Sequence, residues 1–239
     1  MFSKGKPALA SLLRVENLAY ILPYRSILSP LTFEVAAGEM VVVTGASGAG
    51  KTLLLRLLNR LTEPSGGNVY LADQDYRSIP ITDLRRRVAL VAANPNLLGM
   101  TVQSALAYPL QLQRLSGTEV KQRLTRVLEQ LQIPESWLPL TELQLSIDQR
   151  HLVSLARGLI LQPPILLWDE PAYLDESWVE RVRSIAQEQN IAVVAVRKRV
   201  TTFTGRVLYL LDGQLSWDKS DVNWAELTAE IVQTETADW

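Results

Sequence analysis

Gly45-Ala46-Ser47-Gly48-Ala49-Gly50-Lys51-Thr52 is the stretch on which the fold turns. It carries the G-x-x-x-x-G-K-[ST] spacing in full. Residues 41–44, Val-Val-Val-Thr, lead in as a buried strand, and residues 53–58, Leu-Leu-Leu-Arg-Leu-Leu, lead out as a helix. A glycine-rich turn between strand and helix aims consecutive backbone N–H groups into one concavity. Those donors and the positive end of the helix hold a polyphosphate. In this pattern Lys51 reaches the β- and γ-phosphates and the Thr52 hydroxyl takes a Mg²⁺ position.

The rest of the chain agrees with a globular phosphate-loop protein. Its 239 residues make one large domain or two small ones, and an apolar fraction of 47% is enough for a core. Lys and Arg number 24 against 25 Asp and Glu, a balance that argues against nucleic acid as the main partner. There is no cysteine, which excludes a disulfide framework, a thiolate metal site and a thiol nucleophile, and fits a cytosolic protein. No apolar run approaches the ~20 residues of a membrane-spanning helix. Residues 1–13 carry two lysines, and Pro7 interrupts their apolar part, so they do not read as a signal peptide. Work at a membrane would need another chain to supply the membrane part.

Short strands are expected at 12–18, 31–35, 40–44 and 68–72, and a buried one at 88–92. From about 101 to 131 the apolar period becomes helical, through Val102, Leu106, Leu110, Val120, Leu124, Val127, Leu128 and Leu131. A further helix is expected over 146–161, broken by Pro163-Pro164. Ile165-Leu166-Leu167-Trp168-Asp169-Glu170 then reads as a buried parallel strand whose acidic tip emerges at the ligand edge. A helix over 179–189, a buried strand over 191–196 and a hairpin about Asp212-Gly213 complete the pattern. At the strand tip Asp169 would hold Mg²⁺ through water and Glu170 could act as general base on an attacking water.

Through these residues and those that follow, the chain resembles the nucleotide-binding subunit of an ATP-binding-cassette (ABC) transporter over residues 12–217. Leu145-Ser146-Ile147-Asp148-Gln149 stands where that family has its Leu-Ser-Gly-Gly-Gln signature, and Leu155-Ala156-Arg157 follows at the family spacing. Pro171 and the pair Leu174-Asp175 resemble the dimer-contacting loop of the family. Tyr20 resembles the aromatic that stacks on adenine. Tyr24 is the nearby alternative, and either ring could simply pack at a sheet edge. The resemblance implies an α/β fold with a P-loop NTPase (RecA-like) core, an antiparallel β subdomain and a helical subdomain near 95–160. It implies ATP and Mg²⁺ as ligands, a homodimer or a heterodimer with another ABC subunit, and a separate transmembrane permease subunit. The place implied is cytoplasmic, peripheral at the cytoplasmic face of the membrane.

The departures from the family pattern are as informative. Ala93 stands where the family has a glutamine that contacts Mg²⁺ and the attacking water, with Asn94 one residue later. Ile147 and Asp148 replace two signature glycines, adding a branched side chain and a negative charge where backbone N–H groups should meet a γ-phosphate. Lys198, within Arg197-Lys198-Arg199, takes the place of a histidine near that phosphate, where it could donate as a point charge. The only histidine is His151, which falls on the signature helix and reads as a surface residue. The loop from Pro171 to Asp175 is one residue short. The expected chemistry is therefore intact ATP binding with slow Mg²⁺-dependent hydrolysis coupled to a membrane subunit. The rival reading is a catalytically weak ABC-like protein that binds ATP for assembly or regulation.

Two other segments stand out. Arg85-Arg86-Arg87 reads as a solvated face rather than a nucleic-acid or lipid contact. The tail, 218–239, follows Trp217. From Trp217 on, the chain holds three of the six tryptophans, with Trp224, Leu227 and Ile231 on one helical face. It reads either as a terminal helix packed on the domain or as a docking element. A GTPase would carry Asn-Lys-x-Asp, which is absent. DNA-repair relatives of the ABC fold carry long insertions and translation-associated ones two cassettes, and neither feature is here.

Overall fold

The computed structural model describes residues 11–169, 176–197 and 205–220. Glu170, Pro171, Leu174, Asp175, Lys198 and Arg199, together with the tail beyond residue 220, lie outside the described residues. The chain runs through β1 (Ser11–Leu22), β2 (Arg25–Ala36), β3 (Met40–Gly45), α1 (Lys51–Leu58), β4 (Gly66–Leu71), β5 (Gln74–Asp75), α2 (Ile81–Arg87) and β6 (Val88–Val91). It continues through α3 (Val102–Leu112), α4 (Gly117–Gln130), α5 (Ile147–Leu159), β7 (Ile165–Asp169), α6 (Glu176–Gln189), β8 (Ala192–Val196), β9 (Arg206–Leu211) and β10 (Gln214–Lys219).

These strands form two sheets. One has the order β2-β1-β4-β5 and is antiparallel throughout. In β2 the residues Leu31, Phe33 and Val35 are buried while Thr32 and Glu34 are exposed, the alternation of a sheet with one face on the core. The other sheet has the order β10-β9-β3-β8-β7-β6, in which only β10 runs antiparallel to its neighbour. Its interior strands β7 and β8 are buried at every residue, as expected for parallel strands covered on both faces.

The parallel sheet divides the core in two because side chains alternate across it. Val42, Ala89, Val91, Leu166, Trp168 and Val193 face the side covered by α3, α5 and α6. Val41, Val43, Val88, Leu167 and Val194 face the side covered by α1 and the antiparallel sheet. Each fully buried leucine or valine on either side contributes about 1.5–3 kcal/mol relative to exposure. The phosphate-loop strand β3 is thus held by both halves of the core.

Several elements differ from the sequence expectations. The helical stretch 101–131 is two helices, because Arg114 takes φ 58° and Ser116 caps a new start with Glu119 in a reciprocal capping box. The first hairpin is longer than its hydrophobic pattern, reaching Leu22 and Arg25 on either side of a turn. Helix α2 carries no apolar period because Leu84 is its one buried residue; Arg85, Arg86 and Arg87 are exposed in its last turn. Basic side chains there favour the negative helix end, and Arg85 Nη2 donates to the Arg60 carbonyl at 2.8 Å. Among the described residues no helix is long and apolar enough to cross a membrane.

Candidate nucleotide site

The phosphate loop leaves β3 at its C-terminal edge, the edge at which parallel α/β sheets bind ligands. Gly45 takes φ 144°, and a Cβ there would collide with the backbone carbonyl of Leu210 on β9. Only glycine lets the loop turn this close to the neighbouring strand. Ala46, Ser47 and Gly48 are exposed at the tip, while Ala49 is buried beneath it. Gly50, at φ 92°, is the residue before α1 and has no side chain to cap the helix. The first N–H groups of α1 therefore remain available to an anion.

Lys51 is buried to 8% exposure, and its Nζ donates to the carbonyls of Gly45 and Ala46 at 2.7 and 2.6 Å. This fixes the ammonium beneath the loop. Thr52 is exposed, and its Oγ1 donates to Asp169 Oδ2 at 3.0 Å. Asp169 ends β7 and is itself buried to 8% exposure. The structure thus brings together, across 117 residues of chain, the two side chains that the sequence assigned to Mg²⁺. A hydroxyl and a carboxylate are the hard oxygen donors that Mg²⁺ prefers, so the pair fits that ion. One residue past β8, Arg197 is buried to 6% exposure, with its backbone N–H donating to the Val43 carbonyl at 3.0 Å. It was legible only as part of a basic run.

Of the two candidate tyrosines, Tyr20 is half-buried on β1, opposite Leu28. Tyr24 sits in the β1–β2 turn, fully exposed.

The signature segment lies apart from the loop. Ser146 precedes α5 and accepts from Gln149 N at 3.2 Å, while Gln149 Oε1 accepts from Ser146 N at 2.8 Å. This reciprocal box satisfies two backbone donors within the helix start. Ile147 and Asp148 are both exposed on the first turn. Among the described residues no hydrogen bond joins Ser146, Ile147, Asp148 or Gln149 to the phosphate loop.

His151 corrects the sequence reading. It is buried to 5% exposure, not on the surface, and its Nε2 lies 2.8 Å from the Ala93 carbonyl. A carbonyl only accepts, so Nε2 carries the proton. The physical reason is that α5 packs against α3, α4, β6 and β7, and eight of its residues are buried. Polar positions on such a helix are covered along with the apolar ones. Glu142, invisible as a site residue in the sequence, accepts from Leu97 N at 3.1 Å through Oε2.

The ABC transporter family profile matches residues 28–173, which span the phosphate loop, the signature segment and Asp169. The chain belongs to the ABC transporter family. A relative in Escherichia coli, described as "Probable iron export ATP-binding protein FetA", is 32% identical over 190 residues, covering 77% of this chain and 84% of the relative. The methionine import ATP-binding protein MetN of Xanthomonas campestris is 38% identical over 147 residues, 60% of this chain. This alignment spans 44% of MetN, less than half of that relative's length. Among solved structures, a dimeric ATP-binding cassette in a post-hydrolysis state, bound to ADP and Pi, superposes with a TM-score of 0.76 at 25% identity. That match covers 88% of this chain and 99% of the other. The chain is an ATP-binding subunit of this family, an ATPase whose ligands are ATP and Mg²⁺.

Proposed function

We propose that this ABC subunit binds Mg·ATP well and hydrolyses it slowly, as one half of a head-to-tail dimer that works against a separate transmembrane permease. The observation that carries this reading is a contrast. The phosphate loop and the Thr52–Asp169 pair are complete, while the start of α5 closes on itself through Ser146 and Gln149 and presents Ile147 and Asp148 outward.

The residue roles follow from the chemistry. Gly45, Ala46, Ser47, Gly48, Ala49 and Gly50 cradle the phosphates with their N–H groups, and Lys51 adds the fixed charge. Thr52 and Asp169 hold Mg²⁺, which supplies charge neutralisation at the β- and γ-oxygens when bound. Tyr20 packs against the base. Glu170 acts as general base on the attacking water, and Lys198 donates to the γ-phosphate in place of a histidine. Ser146, Ile147, Asp148 and Gln149 face the γ-phosphate of the opposite subunit.

In a homodimer both sites carry every departure from the family. With a standard partner, one site lacks the glutamine and the histidine, and the other faces the altered signature. An Asp148 carboxylate about 4 Å from a γ-phosphate opposes closure by on the order of 1–4 kcal/mol at effective dielectric constants between water and a protein surface. We place the cassette at 12–217, with a helical part near 95–160, at the cytoplasmic face of the membrane.

Single-turnover and steady-state hydrolysis of Mg·ATP, run beside nucleotide titration, test the reading. Tight binding with slow turnover that is lost in Glu170→Gln is the expected result, and Lys198→His should raise the rate. Turnover as fast as an ordinary ABC subunit would overturn the slow-hydrolysis part.

A further inference from the structure

Leu28 stands between two parts of the nucleotide site that come from different sheets. On β2 it is the residue opposite Tyr20 of β1. Side chains directly opposite in an antiparallel pair share a face, with Cβ atoms about 4.5–5.5 Å apart. Leu28 is fully buried on that face, and half-buried Tyr20 packs against the same core. The leucine also meets the phosphate loop, which leaves the parallel sheet. A Cβ on Gly50 would lie 2.6 Å from Leu28 Cδ2 and 3.3 Å from the Ile27 carbonyl. One side chain thus flanks the candidate base platform and touches the last glycine of the loop.

The β9–β10 hairpin fixes this arrangement. At its turn Gly213 takes φ 75°, and a Cβ there would collide with the Ile27 carbonyl. The Gly213 carbonyl accepts from Ser29 N at 2.8 Å. The turn therefore holds the residues on both sides of Leu28. The same hairpin reaches the first glycine of the loop, because Leu210 pairs with Gly45. At the other end of the hairpin, Arg206 Nε and Nη2 donate to the Asp218 carboxylate at 2.7 and 2.6 Å. Its Nη1 donates to the Glu34 carbonyl of β2 at 2.6 Å and to Glu39 Oε1 at 3.0 Å. Such forked, charge-assisted bonds are strong and directional. The hairpin is thus fastened to β2 at both ends and to the phosphate loop at its start.

We infer that Leu28 is a positioning residue for the nucleotide: it sets the span between the Tyr20 ring and the phosphate loop, and the β9–β10 turn holds it there through Ile27 and Ser29. A ligand with a base at one end and a pyrophosphate at the other gains from both contacts only when the span matches. The device makes the site prefer a nucleotide to a bare polyphosphate. It rests on the reading of Tyr20 as the ring against the base, and not on the rate of hydrolysis.

Titration of the full chain with Mg·ADP and with Mg·pyrophosphate tests it, since neither ligand carries a γ-phosphate to hydrolyse. Leu28→Ala should lower the preference for ADP over pyrophosphate about tenfold, the scale of one base–aromatic stack. Pyrophosphate affinity should stay within about twofold, because Lys51 still donates to the Gly45 and Ala46 carbonyls beneath the loop. Leu28→Met conserves volume and should keep the preference. Gly213→Ala leaves the leucine in place but wedges the turn off β2, so it should lower the preference too, and it decides the matter if Leu28→Ala does not fold. Tyr20→Ala should lower the preference, and adding Leu28→Ala to it should lower it no further, the mark of a residue that acts through the ring. Equal weakening of both ligands in Leu28→Ala and Gly213→Ala would overturn the proposal, leaving Leu28 as a support of the loop alone. So would an unchanged preference in both, or additive losses in Tyr20→Ala and Leu28→Ala. A preference untouched by Tyr20→Ala yet lowered by Leu28→Ala would sink the Tyr20 reading and leave the leucine as the spacer for a different ring.

Discussion

Thr52 Oγ1 donates to Asp169 Oδ2 across 3.0 Å, although 117 residues separate the two in the chain. The contact sits between the start of α1 and the tip of β7 and unites two oxygen donors at the nucleotide edge of the sheet. Thr52→Val removes one of them while keeping the shape. The expected outcome is about tenfold weaker binding of Mg·ATP, with ATP in excess EDTA bound as before, read by titration under both conditions. Equal losses in the two titrations would assign Thr52 to the nucleotide instead of the metal.

Gly45 and Gly50 differ in what surrounds them. A methyl at Gly45 meets the Leu210 backbone carbonyl, which cannot yield, whereas one at Gly50 meets the Leu28 side chain at 2.6 Å. Both backbones lie at positive φ, where alanine is strained. Gly45→Ala should therefore be destabilised by more than about 3 kcal/mol, and Gly50→Ala by about 1–2 kcal/mol. Urea unfolding midpoints decide between them, and a larger loss at Gly50 would refute the steric account.

Restoring glycine at both altered signature positions offers a direct test of the trans site. The double variant Ile147→Gly, Asp148→Gly should raise steady-state turnover, because it removes a branched side chain and a negative charge from the face proposed to meet the partner's γ-phosphate. It should also cost about 1–2 kcal/mol of stability, since two glycines enter the first turn of α5 and an acidic residue leaves a helix N-terminus. A fall in turnover with no loss of stability would contradict this picture.

Tyr76 provides a pH signature outside the site. Its hydroxyl is buried, with no hydrogen-bond partner among the described residues. Burial first, then the Glu63 carboxylate, pushes its pKa up from 10.0 to about 12. The folded state thus favours the neutral phenol. The resulting stability is complete below pH 10 and is lost as pH rises towards about 12. Tyr76→Phe should flatten that part of the stability profile. Near neutral pH it should be neutral or stabilising, because an unsatisfied buried hydroxyl is removed. Parallel alkaline losses in wild type and variant, followed by denaturant midpoints, would rule the phenol out.

The phosphate loop was legible without coordinates because all its instructions are local. A run of valines, a glycine turn and a lysine-threonine pair at the head of a leucine helix sit within 18 consecutive residues, 41–58. The buried strand ending in Asp169 was legible for the same reason. Where the local signal was weak, the reading lost detail. Helix α2 shows no period because only Leu84 is covered, and the join between α3 and α4 depends on Arg114 turning to φ 58°.

What the tertiary structure alone decided is which distant groups meet and which faces are covered. The sequence assigned Thr52 and Asp169 to one ion through their motifs, but only the fold shows their direct hydrogen bond, separates half-buried Tyr20 from exposed Tyr24, or ties Glu142 to Leu97. His151 is the sharpest case. By residue type and spacing it belongs on a wet surface, yet α5 is enclosed by α3, α4, β6 and β7, and the imidazole is carried inside to the Ala93 carbonyl. Periodicity reports the face a helix turns towards one neighbour. Burial of a polar residue depends on how many neighbours surround it, and only the assembled fold sets that number.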